Sequence, residues 1–418
     1  MKKILLMMAA GGLMLSCAVI PSTDDPTPEV TDNDLVPIEL PAETRSFVEG
    51  GNDFAFNLLQ RVEKGTEGSF LISPLSVGMA FGLLVESAEE GAVLDAVTET
   101  LGFGKGGREN IRAYCSTMME RLPEMDKLSK VRLANLVLTN RDFGKTNAAF
   151  EQMALDYYDA LVKNLSFGQP KVIVDLVNAW ASEKTEGMIP EAIKESDLSP
   201  QTTAVLANAL YFNGKWTNRF QKSDTAKEDF TREGGKRVKV DMMKQEETFS
   251  AATCKEGTAL RLPYGNKAFE MTVILPNEGV GVDGMVARLA KDRSWLSDCS
   301  AVKTDLWLPK FKLSPMRTEL NDILSEMGMK DAFYATWLDL LDGGGAESTI
   351  SKVFQTATID VDESGTEAAA VTVITAKITS PGPGMSGPLV FHADHPFIFT
   401  ISESSTGAIL FAGVYRGE

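Results

Sequence analysis

Histidine is almost missing from this chain. Its 418 residues hold only two, His392 and His395. A Ser-His-acid triad or a histidine metal centre would have to draw on that pair. Both lie beside Pro396 at the entrance to an apolar, strand-like run, which suits neither use. No GxSxG, HExxH or P-loop pattern is present. The sequence therefore gives hydrolase and metalloenzyme readings little support, and no cofactor is expected. Cysteine is also scarce. Cys17 stands near the N-terminus, and Cys115, Cys254 and Cys299 are far apart with no CxxC spacing. Three cysteines cannot complete a disulfide framework, so they read as buried or free thiols. Basic residues are in deficit, 41 Lys and Arg against 58 Asp and Glu, for a net charge of −17. With no basic cluster to offset it, that charge repels phosphate backbones and argues against nucleic-acid partners.

Long apolar runs are lacking too. "ILLMMAAGGLML", Ile4 to Leu15, is too short to span a bilayer. After Lys2 and Lys3 it reads as an export signal. Ser16-Cys17 closes it in a loose resemblance to a bacterial lipobox, with Cys17 as the lipidated residue. Plain secretion is the alternative. Residues 1–16 are thus expected to be a signal peptide. Residues 17–42, rich in Pro, Asp, Thr and Glu, form a tether with too little apolar surface to fold. The expectation is an exported protein held on a membrane by a lipid anchor, periplasmic or at the cell surface.

The body, 43–418, mixes helices and strands without a βαβ rhythm, which makes it α+β. "NDFAFNLLQRV" has helical spacing, with Asn52 or Asp53 as its cap. "SPLSVGMAFGLLVESA" is apolar all round and reads as a buried helix started by Ser73-Pro74. "VRLANLVLTN" alternates as a strand. "VDLVNAWASEKTEGMI" reads as a helix. "TAVLANALYFNGKW" reads as a buried strand with a turn at Asn213-Gly214. Leu320, Ile323, Leu324 and Met327 have helical spacing. "HPFIFTISESSTGAILFAGVY" reads as two apolar strands. Gly102, Gly104 and Gly107 satisfy GxGxxG but follow a helix-like segment, so they read as a surface turn. Asp339 and Asp342 in "LDLLDGGG" lack calcium-loop spacing and also read as a turn.

One segment does not fit a finished sheet. From Thr366, alternate positions are Thr366, Ala368, Ala370, Thr372, Ile374 and Ala376, all small or uncharged. The other parity carries Glu367 and Lys377. A strand would put the first set inward and the charges in water. The "SPGPGMSGP" that follows is linker-like. The segment reads as a strand held in reserve.

"VDESGTEAAAVT" resembles the hinge of the serpins, the serine-protease inhibitors that act as suicide substrates. "FLISPLSV", "LANALYFNGKW", "LPKFKL", "LSEMGMKDAF" and "DHPFIFTI…TGAILFAGV" resemble serpin signatures in serpin order. The resemblance implies three β-sheets, about nine helices and an exposed reactive-centre loop over about 363–391. It implies an inhibitor, not an enzyme: the cut loop inserts as a new strand and traps the acyl-enzyme. The implied partners are serine proteases held covalently, with cysteine proteases left open, and the implied state is a monomer. A serpin-fold binding protein cleaved as a simple substrate is the alternative.

Carried over by position, the hinge is Glu363, Gly365, Thr366, Glu367, Ala368, Ala369 and Ala370. Small residues inward favour insertion and hence inhibition. Ser73, Ser76, Asn178 and Asn208 match the shutter beneath the opening sheet. Gln355 stands where the family usually has histidine, and it can donate and accept as neutral histidine does. Trp216 matches the breach, where the loop first enters. The family count puts the reactive bond at Thr379–Ser380, with Lys377–Ile378 as the alternative. The first suits elastase- or subtilisin-like enzymes, the second trypsin-like ones.

Overall fold

The computed structural model describes residues 33–199, 201–342, 350, 352–366 and 387–417. Its α-helices are α1 (Ser46–Lys64), α2 (Pro74–Val85), α3 (Ala92–Thr100), α4 (Arg108–Arg121), α5 (Ala148–Tyr158), α6 (Pro170–Lys184), α7 (Val282–Lys291) and α8 (Asn321–Leu324). The strands that matter most form a six-stranded sheet: β1 (Ser129–Asn140), β2 (Ala160–Leu165), β3 (Ala204–Lys215), β4 (Phe311–Glu319), β5 (Phe354–Asp362) and β6 (Gly365–Thr366). Their order across the sheet is β4-β5-β6-β3-β1-β2. A nine-stranded sheet holds the two C-terminal strands, Phe397–Glu403 and Ile409–Tyr415, and a two-stranded ribbon completes the set. Three sheets and eight α-helices among the described residues make the fold α+β.

Both C-terminal strands are buried at every position. Side chains on alternate sides meet protein on both faces, so the alternation of a half-exposed strand is absent. Phe311 of β4 packs on Phe397, Phe399 and Tyr415, joining the two large sheets through aromatic contacts. The buried helix is α2. Pro74 opens it, and the Ser73 side chain accepts from the Ser76 N–H as its cap. A second, smaller core lies between α6 and the sheet, where Ile173, Val177 and Trp180 meet Leu136, Leu138 and Ala209.

Four expectations need correction. The tether does not extend to residue 42: Ile38 and Leu40 are buried in the main core, the Ile38 N–H donates to the Ser405 hydroxyl at 2.9 Å, and Asn33 donates to Asp126 Oδ1 at 2.8 Å. Asn52 and Asp53 do not cap α1, which starts at Ser46. Asn52 instead donates to Gly407 O at 2.9 Å and accepts from Ile409 N–H at 3.1 Å. Asn213-Gly214 is not a turn, because β3 runs through it to Lys215. Of the helix proposed around Leu320–Met327, only Asn321–Leu324 is α-helical. A wider turn follows, with Gly328 at φ 120°. The glycines at 102, 104 and 107 lie at positive φ between α3 and α4, in a turn.

Candidate functional site: a gap in the six-stranded sheet

β6 is only two residues long, yet it sits at the centre of its sheet. Gly365 pairs with Asp362 on β5 and Lys215 on β3, and Thr366 pairs with Val361 and Gly214. Among the described residues β5 and β3 are joined through β6 alone. Gly365 is required there: at φ 151°, an added Cβ would lie 2.1 Å from Gly214 O and 2.7 Å from Lys215 Cα. Residues 363–366 are buried. The expected exposed loop therefore does not include residues 363–366, which are buried and joined to the sheet. At its other end Leu389–His392 is also strand, paired with Ser300–Pro309.

Four groups fix the chain at the gap's upper end. The Trp216 indole N–H donates to Asp362 O at 2.9 Å, and its ring stacks on Tyr264 with centroids 4.4 Å apart. The Tyr264 hydroxyl bonds Thr366 Oγ1 at 2.7 Å. Glu363 accepts from Lys310 Nζ and from the Thr225 hydroxyl, both at 2.9 Å. Burial pushes the Glu363 carboxyl up, but hydrogen bonds from Lys310, the backbone and Thr225 outweigh it and hold the group below its ordinary 4.5. Trp216 was assigned to the breach from the sequence. Tyr264, Lys310 and Thr225 were not, since only the fold brings them to the hinge.

Below β6 two cavities follow the line between β5 and β3. The upper, about 20 Å³, is lined by Thr366, Tyr211, Thr358 and Ile359. The lower, about 170 Å³, is lined by Val205 to Leu210 on one side and Phe354 to Thr356 on the other. Thr356 Oγ1 is buried there without a hydrogen-bond partner. Burying an unpaired hydroxyl is costly. An added strand is one arrangement that could supply a partner.

Beneath the lower cavity runs a chain of hydrogen bonds. The Gln355 side chain donates to Ser73 O at 2.9 Å and accepts from the Ser73 N–H at 2.6 Å. The Ser73 hydroxyl donates to Leu410 O at 2.8 Å. The Ser76 hydroxyl donates to Asn208 Oδ1, and Asn208 donates to Asn135 Oδ1 at 2.8 Å. Asn135 then donates to Tyr158 O at 2.8 Å. The chain connects β5, the start of α2, β3, β1 and the end of α5. Asn135 was missed from the sequence, though a signal was present. "LAN" occurs in both β1 and β3, and each asparagine interrupts an apolar run. The fold pairs Asn135 directly with Asn208.

Asn178 does not belong to this chain, contrary to its assignment to the shutter. Its side chain accepts from the Ala192 and Ile193 N–H groups and donates to Ile193 O at 3.0 Å. It is turned to the segment after α6 rather than to the sheet. The remaining hinge positions, Glu367, Ala368, Ala369 and Ala370, lie outside the described residues. So do Lys377, Ile378, Thr379, Ser380 and Cys17.

No cluster of metal-binding side chains occurs among the described residues. His392 Nε2 lies 3.1 Å from Glu228 Oε2, and His395 sits between Asp394 and Pro276 O. Cys115, Cys254 and Cys299 are free thiols, and Cys115 is buried. No described helix is long and apolar enough to cross a membrane.

Residues 49–416 match the family model for "Serpin (serine protease inhibitor)". Human Serpin B3 is 31% identical over 391 residues, covering 88% of this chain and 98% of its own. The native-state crystal structure of the thermophilic serpin tengpin superposes with a TM-score of 0.79 at 27% identity, covering 92% of this chain and 97% of tengpin. Human thyroxine-binding globulin complexed with thyroxine gives a TM-score of 0.78 at 26% identity, covering 89% of this chain and 98% of its own.

Proposed function

The chain belongs to the serpin family, and on that premise we propose that it inhibits serine proteases as a suicide substrate. The protease's serine attacks the carbonyl of Thr379, an acyl ester forms, and the amine of Ser380 leaves. The loop from Glu367 onward then follows Gly365 and Thr366 down between β5 and β3. About fourteen residues at roughly 3.3 Å each carry the tethered protease on the order of 45 Å. Its active site is pulled out of shape before water can cleave the ester. Lys377–Ile378 is the second candidate bond. Elastase- and subtilisin-like enzymes are the expected targets, trypsin-like ones next.

The observation that carries this reading is β6. Two hinge residues, Gly365 and Thr366, are already bonded between β5 and β3, in line with the two cavities, the lower of which holds an unpartnered hydroxyl. A strand entering there needs no new nucleus, because it lengthens one already formed. Each new ladder bond contributes roughly 1 kcal/mol, against an ordering cost of roughly 1–2 kcal/mol per residue. Insertion is therefore favoured only where side chains are also buried and strain in the open sheet is relieved. We also propose that residues 1–16 are removed, that Cys17 is lipidated, and that the segment from Cys17 up to the packed residues 33–42 tethers a monomeric body to a membrane.

A serpin fold alone does not establish trapping, because thyroxine-binding globulin is a structural neighbour that binds a small ligand. The test is to mix the body from Asn33, which keeps the buried Ile38 and Leu40, with elastase, subtilisin and trypsin and run denaturing gels. The proposal predicts a covalent band at the summed mass. Clean cleavage without that band would favour the non-inhibitory reading.

A further inference from the structure

Asn33 is held at the hinge end of the six-stranded sheet. Its side chain donates to Asp126 Oδ1 at 2.8 Å and accepts from the Lys127 N–H at 2.9 Å. Asp126 is 3% exposed, and its other oxygen accepts from the Ser129 hydroxyl at 2.5 Å. Ser129 opens β1 and stands opposite Gly214 of β3, which stands opposite Thr366 of β6. Two strand spacings, roughly 10 Å, therefore separate Ser129 from the hinge. A second contact leads to the same corner. Asn266 donates to Met125 O at 2.8 Å, and an added Cβ at Gly265 would lie 1.9 Å from Asp126 Oδ2. The residue before that glycine is Tyr264, whose hydroxyl bonds Thr366.

The opposite end of the sheet is far away. β1 has 12 residues and runs to Asn140, roughly 36 Å at about 3.3 Å per step. Downstream of Asn33 the chain is body, since Ile38 and Leu40 are buried and the Ile38 N–H donates to the Ser405 hydroxyl. A tether that starts at Cys17 thus joins the body at Asn33 and consists of residues 17–32 alone. Fully drawn out, that length spans at most about 55 Å. A protease of about 270 residues has a radius of gyration of roughly 18 Å, and so a diameter of roughly 45–50 Å. The drawn-out tether is hardly longer than such an enzyme is wide.

We propose that the tether leaves the body beside the hinge, so that the hinge end faces the membrane and trapping carries the protease away from it. An enzyme in free solution has to pass between body and bilayer to reach the bait. An enzyme already held at the membrane surface meets the bait directly, and is the favoured partner. Insertion from β6 then runs along the gap toward the Asn140 end, on the order of 45 Å, and delivers the trapped enzyme to the side facing solution. The exit point at Asn33 thus filters partners by where they are, before the loop sequence filters them by cleavage preference. This inference rests on the lipidation and insertion readings above.

The test reconstitutes the lipidated full chain into phosphatidylcholine vesicles and compares it with the soluble chain from Ala18. Subtilisin is added to the solution, and covalent trapping is timed on denaturing gels. The vesicle-bound form is expected to trap about five- to tenfold more slowly, because approach to the bait is restricted. About thirty Gly and Ser residues inserted between Thr27 and Pro28 are expected to bring the rate within about twofold of the soluble chain. Position is read separately. Dye-labelled subtilisin with its active serine replaced by alanine docks on the uncut loop, and energy transfer to acceptor lipids reports its distance from the bilayer. Transfer is expected to be efficient in the docked complex and to fall once active enzyme is trapped. Weak transfer when docked that rises on trapping, or equal rates on vesicles and in solution, would overturn the proposal. If mass spectrometry finds no acyl group on Cys17, the lipidation reading fails. A hexahistidine tag in place of residues 1–17, on nickel-chelating lipids, then tests the exit point by the same two readouts. If no form gives a covalent band, the insertion reading fails, and transfer in the docked complex still decides which end faces the membrane.

Discussion

The Gln355 side chain meets the Ser73 backbone twice, accepting from its N–H at 2.6 Å and donating to its carbonyl at 2.9 Å. One amide thereby ties β5 to the residue that caps α2. Both contacts work at any protonation state of the surroundings, because a primary amide does not titrate near neutral pH.

Replacing Gln355 by leucine removes both bonds and leaves the Ser73 N–H to find another partner, while the Ser73 carbonyl keeps the Val77 N–H at 3.3 Å. The expected cost is about 2–3 kcal/mol, read as a lower midpoint in urea. Gln355→His is expected to keep the contacts at neutral pH and to lose stability below about pH 6, as the ring takes up a proton and can no longer accept. A pH-independent difference between wild type and Q355H would contradict this.

Gly365→Ala places a Cβ 2.1 Å from Gly214 O, between two fixed strands. Expelling β6 or straining the sheet is expected to cost about 2–4 kcal/mol. Thermal unfolding checks the magnitude. Hydrogen exchange at Val361 and Gly214 checks whether β6 has left.

Thr366→Arg sets a charged side chain where Thr366 bonds the buried Tyr264 hydroxyl. Insertion is expected to slow until deacylation wins, so the protein becomes a substrate. The ratio of cleaved to covalently trapped protein on denaturing gels measures this. An unchanged ratio would remove the hinge from the account.

Glu363 gives a pH dependence whose sign is fixed. Its folded carboxyl is held below the ordinary 4.5, so near that value the unfolded chain binds more protons than the folded one. Its contribution is fully present above pH 4.5 and is lost as pH falls through the lower folded value. E363Q is expected to be less stable than wild type at pH 7, with the difference shrinking below pH 4.5. A constant difference from pH 7 to 3 would contradict the assignment.

Much of this was legible in the sequence where a local pattern decides the outcome. Ser73-Pro74 and the apolar run behind it gave α2 with its cap, because capping and N1 chemistry are local. The two C-terminal strands were readable as two apolar runs joined by a polar stretch. The alternating run in "VRLANLVLTN" gave β1. What escaped was set by residues distant in sequence. Tyr264, Lys310 and Thr225 meet the hinge only because three separate strands and loops end at the same corner of the sheet. The Asn213-Gly214 dipeptide looks like a turn by itself, but here β3 runs through it, and a Cβ at Gly214 would meet the Phe212 and Tyr264 rings. Asn178 was placed in the shutter by position along the family pattern, while its side chain turns the other way, to residues 192 and 193. Asn33 and Asp126 carry no local signal, since they find each other across 93 positions of chain.

The most direct measurement compares thermal unfolding of the intact body with that of body cut once in the loop by a catalytic amount of protease. If the cut loop enters between β5 and β3, it completes the ladder begun at Gly365–Thr366, and the midpoint rises. A midpoint that stays the same or falls after a single cut would mean that the gap does not take the strand, and the account of trapping would be wrong.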